Sequence, residues 1–319
     1  MVYTYSTKNI KRKAKLINIA DHNSVMIAVV ILNYNSFSDT IKLVGELQRQ
    51  TVANDLRIVV VDNASPNDSY LQLKPLEKRY PNVTVLQTGS NIGYARGNNF
   101  GLQYLDKNIH PQYVAIMNND VILQIDCLEI LIERYNRLER PAIIAPKQLD
   151  GNSNEMPPYR MNSFLDDCLN LFYIFKIFHR QNALRYVDNT GLKAMRVEMI
   201  PGSFMFTSFN RFKEMGFFYP NTFLFVEERF IAVKAKQMNL NNYILLDKTY
   251  VHAHSKTINT QYNQTEKFRL LYDGWLEFTR ACRSHSNMKV VILRFLMKLS
   301  LFEIQLANTI RNFIAKNNS

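Results

Sequence analysis

Three apolar runs, each rich in β-branched residues and each stopped by a polar cluster, narrow what this chain can fold into. Residues 26–32 read M-I-A-V-V-I-L and stop at Asn33-Tyr34-Asn35. Residues 57–61 read R-I-V-V-V and stop at Asp62-Asn63, and residues 113–117 read Y-V-A-I-M and stop at Asn118-Asn119-Asp120. Unbroken apolar runs of this length, bounded by turn residues, are strands buried on both faces, the pattern of a parallel sheet.

The segments between them carry helical signals. Ser38 or Asp39 caps a helix with Ile41, Val44 and Leu47 on one face, and a helix over residues 69–80 is expected to run through Pro75 and end at Pro81. A strand over 83–87 leads into Asn91-Ile92-Gly93-Tyr94-Ala95-Arg96-Gly97 at the head of another helix. A helix over 126–137 and a strand over 142–145 follow. Alternation of this kind implies right-handed crossovers and a mostly parallel α/β sheet with helices on both faces. Asn33, Asp62 and Asp120 then share the carboxyl edge, where such sheets bind ligands. Asp120, a lone carboxylate beside amides, suits a divalent cation half-held by a diphosphate, though Asn and Asp are also ordinary turn residues.

The formal charge of +12 asks for an anionic partner: nucleic acid, a membrane surface or a phosphorylated ligand. No aromatic-basic RNA signature or recognition-helix pattern accompanies it, so nucleic acid is not expected. Cys127, Cys168 and Cys282 lie far apart without C-x-x-C spacing, which argues against a disulfide framework or structural zinc and for a reducing compartment. The first residues lack the apolar core of a signal peptide, and no stretch reaches the roughly 18 apolar residues of a spanning helix.

In the second half, residues 164–178 are dense in aromatics and suit a core helix or a surface that meets lipid. Gly202 and Ser203, in P-G-S-F-M, mark a close backbone approach. Residues 223–237 open a helix with Glu227 and Glu228 in its first turn, where acids also complement the helix dipole. A short strand over 243–246 precedes His252 and His254, which point the same way on extended chain and are candidate metal ligands.

Taken together, V-V-I-L-N-Y-N at 29–35, V-V-V-D-N-A-S at 59–65, N-I-G-Y-A-R-G-N-N-F-G at 91–101 and M-N-N-D-V at 117–121 resemble the family 2 glycosyltransferases of GT-A fold. The rhamnosyltransferase-like branch that builds bacterial surface polysaccharides is the most similar, and P-G-S-F-M, F-L-F-V-E-E and V-H-A-H-S-K-T follow in the family's order. The resemblance implies that Asp62 reads a pyrimidine base with Asn33 and Tyr34 nearby. It implies that Asn118, Asn119 and Asp120 form a D-x-D variant whose Asp120 holds Mg²⁺ or Mn²⁺, and that His252, with His254 as the second candidate, completes the metal site. Glu227-Glu228 matches the family's Glu-Asp pair, which makes Glu228 the candidate catalytic base with Glu227 as the alternative. Asn91, Gly93, Arg96 and Asn99 are expected on the nucleotide-sugar side, and Gly202 and Ser203 on the acceptor side. Phe230 stands where the family often has another Asp.

The implied activity is inverting transfer of rhamnose or another hexose from a UDP- or dTDP-sugar to a hydroxyl of a glycan, in particular a lipid-linked oligosaccharide. A non-catalytic scaffold and a sugar nucleotidyltransferase are the alternatives. The expected organisation is a basic extension (1–25), a GT-A domain (26–260, with a nucleotide half to 150 and an acceptor half beyond) and a helical segment (261–319). Over residues 288–314, Ile292, Phe295, Leu296, Leu299, Phe302, Leu306, Ile310 and Phe313 make an apolar stripe bordered by basic residues. That stripe suits a helix on an anionic membrane or a homodimer helix. A cytoplasmic enzyme, peripheral on the inner face of the cell membrane, is expected.

Overall fold

The computed structural model describes residues 25–172, 185–252, 263–283 and 287–317. The first half alternates as the apolar runs require: β1 (Ile27–Asn33), α1 (Phe37–Leu47), β2 (Leu56–Asp62), α2 (Ser69–Leu73), α3 (Leu76–Arg79), β3 (Val83–Gln87), α4 (Gly93–Asn108) and β4 (Tyr113–Asn118). Then come β5 (Val121–Leu123), α5 (Cys127–Arg137), β6 (Pro141–Leu149), α6 (Phe164–Asn170), β7 (Ala194–Val197), β8 (Phe204–Ser208) and α7 (Phe209–Glu214). The described chain ends with α8 (Glu227–Gln237), β9 (Asn241–His252), α9 (Gln264–Phe278) and α10 (Met288–Asn317).

One sheet runs β3-β2-β1-β4-β8-β6-β9-β5, with β7 on β9. The pairs from β3 to β4 are all parallel, and Ile27 to Ile31 are fully buried, as strands covered on both faces must be. Beyond β4 the sheet is mixed rather than mostly parallel: β6 pairs β9 in parallel, while β8 pairs antiparallel with β4 and β6, and β9 with β5 and β7. Register brings the polar strand ends level, with Asn33 opposite Asp62 and Leu32 opposite Asn118.

The expected helix over 69–80 is two short ones, because Pro75 lacks the N–H that would continue the ladder. The strands expected over 142–145 and 243–246 are each longer, since β6 and β9 support one another along their length. Of the aromatic stretch 164–178, α6, Leu171 and Phe172 are seen, and residues 173–178 lie outside the described residues, as do the N-terminal basic cluster and His254.

Helix α4 lies close on the sheet because a Cβ at Gly97 would sit 2.5 Å from Leu32, and one at Gly101 2.9 Å from Val30. The main core spans residues from Ile27 to Tyr250, and a second cluster joins Val226 and Phe230 to Tyr272, Trp275, Phe278, Leu293 and Met297 of the C-terminal helices. Among the described residues no helix is long and apolar enough to cross a membrane.

Candidate active site

At the carboxyl edge, the ends of β1, β2 and β4 are tied by side-chain bonds. Asn33 donates its amide to the Asp62 carboxylate (2.8 Å) and accepts from the Thr40 hydroxyl (2.8 Å). Asn119 donates to Ser36 Oγ (2.8 Å) and Thr40 Oγ1 (2.9 Å), and lies 3.4 Å from Asn33 Oδ1. Asp62 is fully buried, receiving also the Ser65 hydroxyl (2.6 Å) and, at 3.4 Å, the amide of exposed Gln87. Tyr34 is half-buried beside this network.

On the other side of Asn119 the chain of contacts continues. His252 Nε2 is 3.2 Å from Asp120 Oδ1 and 3.2 Å from the Asn118 amide nitrogen, and its Nδ1 is 3.2 Å from Gln148 Nε2. Tyr250 donates to Gln148 Oε1 (3.2 Å) and bonds Ser203 Oγ (2.8 Å), and the Asn118 N–H donates to the Ser203 carbonyl (2.9 Å). Gln148, itself held by the Tyr250 hydroxyl, thus fixes the plane of the imidazole. Both are embedded in strands, where no local pattern marks them.

Ser203 leads to the carboxylates. A Cβ at Gly202 would lie 3.8 Å from Glu228 Oε2, and the Tyr94 hydroxyl donates to the Gly202 carbonyl at 2.6 Å. Burial, then the charges of Glu227, Glu228 and Asp120, push the Tyr94 phenol above its ordinary range. Burial, and secondarily Glu228, holds the Glu227 carboxyl well above the carboxylate range, and burial raises Glu228 as well. Glu227 is 4% exposed and its Oε1 has no hydrogen-bond partner among the described residues.

The acids enter from a strained elbow. Phe225 (φ 71°) and Val226 (φ 64°) are both left-handed before α8 begins at Glu227. A β-branched residue there is an outlier, and each such residue costs on the order of 1–3 kcal/mol.

Arg96 and Asn99 do not join this cluster. Arg96 is exposed and donates Nε to the Pro220 carbonyl (2.7 Å), while Asn99 bonds the Phe218 carbonyl (2.8 Å) and N–H (3.0 Å). Gly93, at φ +83°, lets the Phe223 carbonyl approach; a Cβ would meet it at 2.4 Å. Asn91 accepts from the Asn63 amide (2.9 Å) and the Gly93 N–H (3.1 Å). The glycine-rich helix head therefore docks the loop that delivers the acids, which is its visible task.

The family model for glycosyl transferase family 2 matches residues 28–202, more than half of the chain. The chain belongs to glycosyltransferase family 2. It is 22% identical over 218 residues to the low-salt glycan biosynthesis hexosyltransferase Agl10 of Haloferax volcanii, covering 67% of this chain and 63% of that one. This family 2 glycosyltransferase also shares its fold with solved structures. S. aureus TarS 1–349 in complex with UDP-GlcNAc matches at TM-score 0.53 and 17% identity, covering 85% of this chain and 71% of that one. The mannosyltransferase PcManGT from Pyrobaculum calidifontis, in complex with GDP-Man and Mn²⁺, matches at TM-score 0.53 and 13% identity, covering 89% and 75%. The GT-A fold expected from the strand-end motifs is therefore present.

The glycosyltransferase's matched region ends at the Pro201-Gly202 turn, before Glu227 and His252. Among the described residues no three His, Cys, Asp or Glu side chains converge as a complete metal cage. Asp120, His252 and the Asn118 amide, gathered at one point, fit a divalent cation of the kind that takes one or two protein carboxylates and completes its shell with phosphate oxygens and water. Phe230 is accounted for by packing: it stacks on Tyr219 (4.2 Å, 7°) and meets Phe278 edge-on (5.1 Å).

Proposed function

We propose that this glycosyltransferase is an inverting, metal-dependent hexosyltransferase that moves a sugar, rhamnose or another hexose, from a UDP- or dTDP-sugar to a hydroxyl of a glycan carried on lipid. The observation that supports it is the unbroken chain of contacts from Asp120 through His252, Asn118 and Ser203 to Gly202, with Glu228 beside that glycine. An anion-binding edge and a carboxylate of raised proton affinity thus sit on either side of one two-residue turn.

Asp62 serves the base through exchange. Its weakest partner is Gln87 at 3.4 Å, and the N–H of a pyrimidine takes that amide's place when Gln87 swings out. Asn33 and Ser65 keep the carboxylate aimed. Asp120 and His252 hold Mg²⁺ or Mn²⁺, which when bound neutralises charge on the departing diphosphate. Asn119 is spent on fixing Ser36 and Thr40 and so shapes the floor beneath the donor.

Glu228 takes the proton of the acceptor hydroxyl as its oxygen bonds to the anomeric carbon, and the bond from that carbon to the diphosphate breaks with its electron pair leaving on the nucleotide. One displacement inverts the anomeric centre. A base of raised pKa is the stronger proton acceptor once ionised. Glu227 is buried, its Oε1 has no hydrogen-bond partner among the described residues, and burial raises its proton affinity beyond that of an ordinary carboxylate.

The acceptor's lipid fits the outer face of α10. Val291, Phe295 and Phe302 are each at least 60% exposed, with Ile292, Leu299 and Leu306 alongside and Lys289, Arg294 and Lys298 exposed at the margins. Such a face lies on an anionic membrane. Sedimentation of the full chain with anionic vesicles checks this; a Phe295→Glu, Phe302→Glu variant is expected to stay in the supernatant. Binding equal to the parent, or a dimer abolished by the same changes, refutes it.

Thermal shift of the whole protein with UDP-, dTDP- and GDP-sugars tests the donor. A UDP- or dTDP-sugar is expected to raise Tm only when Mn²⁺ or Mg²⁺ is added. A shift with GDP-sugars alone, or one indifferent to metal, overturns the assignment.

A further inference from the structure

The elbow before Glu227 is held from outside the matched region. Val226 is 2% exposed, and what buries it is α9, at Gly274. A Cβ built at Gly274 would lie 2.6 Å from Val226 Cγ2, 3.6 Å from the Phe225 carbonyl and 3.8 Å from that of Leu224. The helix backbone is therefore pressed at Gly274 against the two left-handed residues, with no room there for a side chain.

The rest of the first turn of α8 is fastened to the same layer. Arg229 forks onto buried Asp167 of α6 (2.7 and 3.1 Å), and Arg283, just beyond α9, reaches the same carboxylate (2.5 Å). The Arg229 guanidinium also lies 5.4 Å from the Trp275 ring, and Phe230 packs on Phe278. Glu228 thus reaches toward Gly202 while residues 226, 229 and 230 pack against the layer that holds the C-terminal helices.

We propose that Gly274 is a positioning residue for transfer: α9, pressed through Gly274 on the Phe225–Val226 elbow, sets the aim of Glu227 and Glu228 without touching donor or acceptor. The donor-binding edge, built from β1, β2, β4 and β9, does not depend on this contact. The proposal rests on Glu228 being the base. It predicts that binding and chemistry separate when the contact is disturbed, because a small displacement of a reacting group costs far more rate than donor affinity.

The test uses the full chain as Gly274→Ala, measuring kcat together with Kd for a UDP- or dTDP-sugar with Mn²⁺. The added methyl must push Val226 away, so kcat is expected to fall by about 100-fold while donor Kd stays within about twofold. A second change, Val226→Ala, removes the Cγ2 atom that the methyl strikes, and the double variant is expected to regain at least about tenfold of the lost kcat. Unaltered kcat in Gly274→Ala overturns the proposal, as does a loss shared equally by kcat and donor binding, or one that Val226→Ala does not relieve. Glu228→Gln separates the two readings. If it stays fully active the base assignment fails, and if it is inactive while Gly274→Ala is normal, only the positioning role fails.

Discussion

The hydroxyl of Tyr94 donates to the carbonyl of Gly202 across 108 residues of chain, at 2.6 Å. One residue heads α4, in the parallel half of the sheet, and the other lies in the turn that Glu228 flanks. The bond joins the head of α4 to the turn beside Glu228.

Tyr94→Phe is expected to retain the fold, losing about 1 kcal/mol of stability, and to lower kcat by roughly tenfold with donor affinity kept. Urea unfolding and steady-state kinetics check both numbers. A variant with unchanged kcat removes Tyr94 from the alignment of the two halves.

Asp120→Asn removes the one carboxylate of the proposed metal donor set, and is expected to abolish the proposed metal dependence of donor binding. Gln148→Leu leaves the proposed ligands in place but removes the contact that holds the His252 ring, so Mn²⁺ affinity is expected to weaken by about 10- to 100-fold. Isothermal titration with Mn²⁺ and nucleotide sugar measures both. Unchanged Mn²⁺ dependence in Asp120→Asn would falsify its assignment.

Burial raises the proton affinity of Glu228, so the acid limb of kcat/KM against pH is expected above the usual carboxylate range, activity rising as Glu228 ionises. A limb at or below the ordinary range contradicts its role as base.

The stability effect of Glu227 has a definite sign. A carboxyl raised on folding contributes its full stability below the unfolded pKa and loses it as pH rises through the folded value. Glu227→Gln is therefore expected to match the parent's Tm in acid and exceed it increasingly toward neutral and alkaline pH. Parallel Tm curves exclude the buried, shifted carboxyl.

Asp167 is 1% exposed and pairs with both Arg229 and Arg283. Asp167→Ala leaves a buried guanidinium without its acid, and a loss of roughly 3–5 kcal/mol is expected in urea unfolding. A loss under about 1 kcal/mol means the ion pairs are exchanged for water at little cost.

The apolar runs at 26–32, 57–61 and 113–117 fixed by themselves the parallel half of the sheet, because only strands covered on both faces consist of such runs. Their polar ends gather at one edge, with Asn33 opposite Asp62 and Asn118 opposite Leu32. Long-range packing decided the rest. Local pattern cannot reveal that β8 enters antiparallel between β4 and β6, that Arg96 turns to the Pro220 carbonyl, or that Gln148 and Tyr250 aim His252. Nor does any local pattern mark Gly274 as the place where a helix near the C-terminus presses on the elbow before Glu227. Those relationships join residues tens to more than a hundred positions apart, and only the folded chain brings them within bonding distance.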